Sequence, residues 1–331
     1  MLKSTKNGSA KNLKSKGRAV MNPVEAILAK YPLMILDGAF ATELEGRGFA
    51  INDELWSANA LLKAPELVKE VHRSYLEAGA DAVSSASYQA TVEGFRKRGL
   101  TEEEAKELIR LSVRLVRETV EDFWQALPEA AKASRPKPLV VASVGPYGAY
   151  LADGSEYKGH YGIGETELRR FHSDRLGLLL EEKPDLLACE TLPCLIEAQA
   201  LVHELENFPQ AYAWVSFSCR NSELISDGTP IAECASWLDK VPQVVAIGLN
   251  CTAPQYVVGL IKEIRKHTSK PVVVYPNSGE TYDATTKTWR GSPVSYADYA
   301  QQWYKDGAKL IGGCCRTTPK DIAAVAAWTR K

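Results

Sequence analysis

Between positions 185 and 218 the chain reads DLLACETLPCLIEAQALVHELENFPQAYAWVSFS. An apolar run, DLLACET (185–191), ends at a Pro-containing turn, a stretch with helical spacing follows, and a second apolar run, AWVSFS (213–218), completes the unit. Two such runs separated by a helix-length segment are the pattern of parallel strands joined by a right-handed crossover. The unit recurs along the chain. LMILDG (33–38), DAVSSAS (81–87), LVVASVG (139–145), VVAIGLNC (244–251), PVVVYPN (271–277) and KLIGGCC (309–315) are the other strand candidates, which makes eight. The helical signal is clearest in TEEEAKELIRLSVRLVRETVEDFW (101–124), where Thr101 and Glu104 stand at capping-box spacing and apolar residues recur at three and four. Eight units in about 300 residues most simply close into a (β/α)8 TIM barrel of the α/β class. A doubly wound open sheet is the alternative, because periodicity alone does not show closure. No linker divides the chain after Met21, so residues 21–331 read as one barrel domain.

The 331 residues carry 40 Lys or Arg against 41 Asp or Glu, a net charge of −1, so no overall field favours nucleic acid or an anionic membrane. There is no run of about 18 apolar residues and no secretory signal at the start. The expectation is a cytoplasmic protein with neither a nucleic-acid nor a membrane partner. Seven cysteines, an odd number, argue against a complete disulfide framework and for a reducing compartment. Residues 1–20, MLKSTKNGSAKNLKSKGRAV, differ from the rest in having six Lys or Arg and no acid. They read as a disordered basic tail, with an organelle-targeting leader as the alternative.

A barrel places chemistry where its strands end, because those ends and the loops after them form one face. The predicted ends carry Asp37, Ser87 with Tyr88, Glu190 with Thr191, Asn250 with Cys251, Asn277, and Cys314 with Cys315. Few of these are packing residues. Cys251 and the Cys314–Cys315 pair end the sixth and eighth strands, which flank the seventh, so three thiols can converge there. Three thiolates suit Zn2+ and leave a fourth position open, as catalytic rather than structural sites do. Adjacent strand residues face opposite ways. Cys314 and Cys315 therefore bind one ion only if the strand breaks, and Gly312 and Gly313 are read as supplying the backbone freedom for that break. Buried or redox-active thiols are the competing reading. Cys189, Cys194, Cys219 and Cys234 have no partner at ligand spacing and read as structural. The five histidines, at 72, 160, 172, 203 and 267, make no i, i+4 pair and none ends a strand, which disfavours a histidine zinc hydrolase.

Three blocks, DGAFATELEGRG (37–48), GLNC (248–251) and GGCCRTTP (312–319), resemble the homocysteine S-methyltransferase family of zinc-dependent barrels. ELWSA (54–58), ASYQAT (86–91), SVGPYGAYLADGSEY (143–157), LLACETLP (186–193), SDGTP (226–230) and VVYPNSGETYD (273–283) are similar to the branch that takes its methyl group from S-methylmethionine. The similarity spans residues 21–331 and omits the basic tail.

The resemblance implies Zn2+ on Cys251, Cys314 and Cys315, with the homocysteine thiolate filling the open position and attacking the methyl of S-methylmethionine or S-adenosylmethionine. It implies that Asp37 and Glu190 hold the homocysteine ammonium and that the backbone at Gly38 and Ala39 meets its carboxylate. Asn250 is assigned to homocysteine binding, as a direct contact or an orienting group. Trp56, Tyr88, Tyr147 and Asn277 are candidate donor contacts, since aromatic faces attract a sulfonium cation. No separate general base is assigned. Betaine-using relatives place a tyrosine after the acid of the fourth strand, and this chain has Thr191 there, which argues against betaine. A selenocysteine methyltransferase and a non-catalytic zinc or thiol-sensing barrel are the alternatives. Oligomeric state is not legible.

Overall fold

A computed structural model describes residues 21–50, 58–283 and 288–330; the basic tail and Trp56 lie outside them. All eight expected strands form, as β1 (Met34–Ile35), β2 (Ala82–Ser84), β3 (Leu139–Val144), β4 (Leu186–Leu192), β5 (Ala213–Phe217), β6 (Val244–Asn250), β7 (Val272–Tyr275) and, after a hairpin, β10 (Ala308–Ile311). The hairpin strands β8 (Thr281–Asp283) and β9 (Thr288–Arg290) pair antiparallel outside the sheet. Sequence patterning missed this hairpin because its strands are too short to show alternation.

The sheet order is β1-β10-β7-β6-β5-β4-β3-β2, every pair parallel. A parallel bridge between Leu36 and Ala82 joins its two ends. The fold is therefore a closed barrel rather than an open sheet. The seam is stapled from the side: Asp81 Oδ2 accepts the Ile35 N–H at 2.8 Å and pairs with Arg330 after the last helix. Burial lifts the Asp81 carboxyl to about 6, with the Arg330 guanidinium opposing that rise.

Strands buried on both faces need apolar residues at consecutive positions, and every residue of β5, β6 and β7 is buried. Met34, Leu36, Val141, Leu186, Trp214 and Leu310 fill the interior, while a second, larger layer lies between strands and helices. The helix Pro23–Leu28, capped by Asn22 Oδ1 on the Glu25 N–H at 3.0 Å, sends Val24 and Ile27 into the interior cluster and plugs the amino-terminal end. The long helix Glu102–Ala126 carries the expected capping box between Thr101 and Glu104. Among the described residues no helix is long and apolar enough to cross a membrane.

Gly248 tests the tightness of this barrel. A Cβ there would stand 1.7 Å from the Val273 carbonyl oxygen on β7, so the two strands pair only because position 248 has no side chain. Gly248→Ala is expected to destabilise the protein by about 3 kcal/mol or more, the upper range for overpacking, measured as a lowered midpoint in urea denaturation.

Candidate metal and substrate site

One cavity opens at the mouth, lined by residues from the ends of β1, β2, β3, β4, β6, β7 and β10. It holds about 1010 Å³ counted to its solvent opening, room for two amino-acid-sized molecules. Among the described residues its wall contains three carboxylates, Asp37, Glu156 and Glu190, and no Lys, Arg or His. Such a lining attracts cations.

The thiols converge at one side. The Sγ atoms of Cys251, Cys314 and Cys315 lie within 4.8 Å of one another, and no other group of three candidate ligands occurs among the described residues. The chain arrives there by three devices. Cys251 takes a left-handed backbone, φ 46°, which turns its side chain off the end of β6. The strand β10 stops at Ile311, so Cys314 and Cys315 escape the alternation that would separate them. Backbone bonds then hold the loop: the Cys314 N–H donates to the Pro276 carbonyl at 2.8 Å, and the Cys315 carbonyl accepts the Ser278 N–H at 3.0 Å. The glycines before the pair act by size rather than by backbone freedom. Neither has a positive φ. A Cβ on Gly312 would meet Leu36 Cβ at 2.5 Å and the Asp37 carbonyl oxygen at 2.7 Å, and one on Gly313 would meet Thr317 Oγ1 at 2.3 Å.

The donor set fits a soft divalent ion. Tetrahedral thiolate ligands at about 2.3 Å from a metal stand about 3.8 Å apart, within the spread seen here. Burial pushes the Cys315 thiol up to about 11, so it ionises readily only beside a cation. Cys251 and Cys314 stand 5.5 Å apart Cα to Cα with their sulfurs turned toward each other, and Cys315 lies beside them. Binding through three thiolates requires all three thiols to be reduced. The other four cysteines are buried away from the cluster, with Cys189 in the layer between strands and helices and raised to about 12 by burial.

The same cavity holds the carboxylates Asp37 and Glu190. Asp37 Oδ2 accepts the Ser84 N–H at 2.7 Å. Burial, reinforced by the nearby Glu190 charge and opposed by the Ser84 bond, lifts the Asp37 carboxyl from 3.8 to about 8. Glu190 accepts from Ser143 Oγ and is also raised by burial. Two acids that resist ionisation in a cavity without a base are primed to accept an ammonium group. Gly38 lies against Tyr75, where a Cβ would stand 2.7 Å from the ring. The Ala39 N–H is already taken by Thr317 Oγ1 at 3.2 Å, which leaves Gly38 and the start of the helix Phe40–Gly46 as the backbone facing the cavity.

The remaining expected residues divide. Tyr88 lines the cavity, its ring laid over Gly145, where a Cβ would be 2.7 Å from it. Tyr147 and Asn277 do not line it. Tyr147 instead packs edge-on to Phe171 at 4.9 Å and gives its N–H to Glu197. Ser87 is buried and bonds the Ser143 carbonyl at 2.7 Å. Asn250 spends its amide on neighbours: Oδ1 accepts from the Thr191 N–H at 2.7 Å and Ser216 Oγ at 2.9 Å, and Nδ2 donates to Thr191 Oγ1 at 2.6 Å. It orients the turn beside Cys251.

Sequence reading missed Gln89, Glu156 and Tyr157, all in the cavity wall. Glu156 and Tyr157 come from a short 3-10 turn, Ser155–Tyr157, well past the end of β3 in the chain. A buried cluster fixes the base of that loop: Glu197 accepts from His172 Nε2 at 2.9 Å and Tyr161 Oη at 3.0 Å, and Arg175 donates to the Gly145 carbonyl at 2.5 Å.

Fold and mouth together define a class, that of (β/α)8 enzymes with a cysteine-lined, metal-competent mouth. A family model described as homocysteine S-methyltransferase matches residues 34–329. Homocysteine S-methyltransferase YbgG of Bacillus subtilis is 55% identical over 312 residues, 94% of this chain and 98% of that protein. The crystal structure of the homocysteine methyltransferase MmuM from Escherichia coli, metallated form, superposes with a TM-score of 0.83 at 48% identity, over 93% of this chain and 100% of that one. Its oxidized form gives 0.81 at 47% over the same share of both chains. The chain belongs to the homocysteine S-methyltransferase family and is a methyltransferase.

The Asp37 shift carries a stability signature. Below 3.8 both folded and unfolded chains hold the proton; above it the unfolded chain ionises while the folded one keeps its proton up to about 8, so folding stability falls with rising pH across that window. Asp37→Asn removes the cost. In thermal melts without substrate the variant is expected to gain on the wild type progressively from pH 4 to pH 8, and a constant difference would contradict the assignment.

Proposed function

We propose that this protein transfers a methyl group from S-methylmethionine, and more slowly from S-adenosylmethionine, to homocysteine, with Zn2+ held by Cys251, Cys314 and Cys315. The observation that carries the reading is the placement of three convergent thiols and the carboxylates Asp37 and Glu190 in one base-free cavity. When bound, the ion supplies acidification of the homocysteine thiol, whose free pKa of about 8.5 would leave it mostly protonated at pH 7.

The chain's own residues do the rest. Asp37 and Glu190 take the homocysteine ammonium, and Asp37 gives up its proton to solvent at the open mouth as that cation arrives. Gly38 lets the carboxylate approach the backbone at the start of the helix Phe40–Gly46. The Thr191–Asn250–Ser216 bonds keep the thiol-bearing turn rigid. The sulfonium enters a wall that carries negative charge and the Tyr88 face. In-line attack forms the bond from homocysteine sulfur to the methyl carbon as the sulfonium carbon–sulfur bond breaks; with S-methylmethionine both sulfurs leave as the neutral thioether of methionine, and with S-adenosylmethionine the donor leaves as the neutral thioether S-adenosylhomocysteine. Opposite charges vanish in this step. The apolar part of the wall, Leu36, Ala39, Phe40 and Ala86, favours the step, since little charge remains to be solvated at the transition state. Reduced thiols suit a cytoplasmic setting.

Methionine formation by reduced, zinc-loaded protein tests the reading, with homocysteine as acceptor and S-methylmethionine, S-adenosylmethionine and betaine compared as donors. S-Methylmethionine is expected to be fastest and betaine inert. Cys315→Ala is expected to lose zinc together with about 100-fold or more of the activity. Stoichiometric zinc in the variant at undiminished turnover would remove Cys315 from the ligand set, and preference for selenocysteine as acceptor would reassign the substrate.

A further inference from the structure

Two acceptors in the cavity wall have no task in the homocysteine half of the site. Glu156 Oε2 is buried and has no hydrogen-bond partner among the described residues, and the same holds for Gln89 Oε1 on a residue only 6% exposed. Both residues line the cavity. A buried acceptor left unpaired is costly, and its retention points to a ligand that brings the donor.

Both are held from behind by one short helix, Tyr147–Leu151. Gln89 Nε2 donates to the Ala149 carbonyl at 2.9 Å, which fixes the amide and leaves its oxygen as the free end. A Cβ on Gly148 would stand 2.4 Å from the Glu156 backbone nitrogen, so Glu156 packs directly on the same helix. Ser218 Oγ secures its carbonyl at 3.0 Å. The two acceptors are thus preset before any ligand enters.

We infer that Glu156 and Gln89 form the subsite for the α-ammonium group of the methyl donor, an inference that rests on the sulfonium-donor reading above. A donor of this class has two cationic centres. Its sulfonium has no N–H and needs only an aromatic face and a negative field, but its ammonium has three N–H donors that must be matched on leaving water. With Asp37 and Glu190 committed to the ammonium of homocysteine, Glu156 is the one carboxylate left in the lining among the described residues. Glu156 precedes Tyr157, another lining residue, whose hydroxyl faces Cys315, so a donor anchored here keeps its reacting end beside the thiols. The Glu156 carboxylate is not part of the three-sulfur group. The subsite also rejects betaine on chemical grounds, because a quaternary nitrogen has no hydrogen to donate.

Steady-state kinetics of zinc-loaded wild type, Glu156→Gln and Gln89→Met test this, with S-methylmethionine and its desamino analogue 4-dimethylsulfoniobutanoate as donors. The analogue is read by its KM, or by its Ki where it binds without turnover. Glu156→Gln is expected to raise the KM for S-methylmethionine about ten- to hundred-fold, the effect of losing a charge-assisted hydrogen bond. Homocysteine KM and zinc content should stay at wild-type values, and the analogue should bind wild type and variant alike. Gln89→Met should repeat the pattern with a smaller change. The subsite is overturned if S-methylmethionine KM is unchanged, if both donors weaken equally, if homocysteine KM rises in parallel, or if zinc is lost. Wild type that does not turn over S-methylmethionine at all overturns the donor reading and the subsite with it, an outcome distinct from the others.

Discussion

The close approach of the β1 end to the loop after β10 is the constraint on which the mouth of this barrel depends. The first strand is only two residues long, and its continuation passes so near Gly312 that no side chain fits there, while Thr317 closes the same space at Gly313. The Gly313 N–H donates to the Asp37 carbonyl at 3.0 Å, and the Ala39 N–H meets Thr317 Oγ1, whose hydroxyl also bonds the Cys314 carbonyl at 2.7 Å. A single packed seam therefore sets the distance between the first carboxylate and the paired thiols. Asp81 and Arg330 hold the neighbouring joint between β1 and β2.

Electrostatics at the mouth run against folding. Burial of acids and thiols without a basic partner penalises their charged forms, which is why Asp37, Glu190 and Cys315 are all displaced upward. A protein selected for stability alone would place a lysine or arginine there. In the proposed function, cations carried in by substrates and a metal among the thiols would relieve this penalty on binding.

Local strain is concentrated at the same place. Thr191, Cys251 and Arg316 have left-handed backbones at φ 59°, 46° and 69°, each just past a strand or at its end. Thr191 and Cys251 are tied together through Asn250 and by Thr191 Oγ1 at 3.8 Å from the Cys251 sulfur. Two strained turns braced against one another give a rigid wall where a flexible loop would cost entropy on binding.

Strand count, the capping box of the long helix and the convergence of Asp37, Glu190, Cys251, Cys314 and Cys315 were legible from the chain because they follow from periodicity and from the rule that strand ends share a face. Closure was not, since an open sheet has the same pattern and only the Leu36–Ala82 bridge distinguishes them. Nor was the work of Gly312 and Gly313, because a glycine in sequence offers conformational freedom and close approach equally, and only neighbouring atoms show which is used. Asn250 read as either a substrate contact or an orienting group, and only the structure shows its amide bonded to Thr191 and Ser216 while it lines the cavity. Glu156 and Gln89 carried no local signal, as one lies in a turn and the other beyond a strand end. The sequence by itself determined which segments become strands and which chemistry their ends bring. Tertiary structure alone decided which of those groups face the cavity and which are satisfied elsewhere, because hydrogen-bond partners and distances of approach arise between segments far apart in the chain.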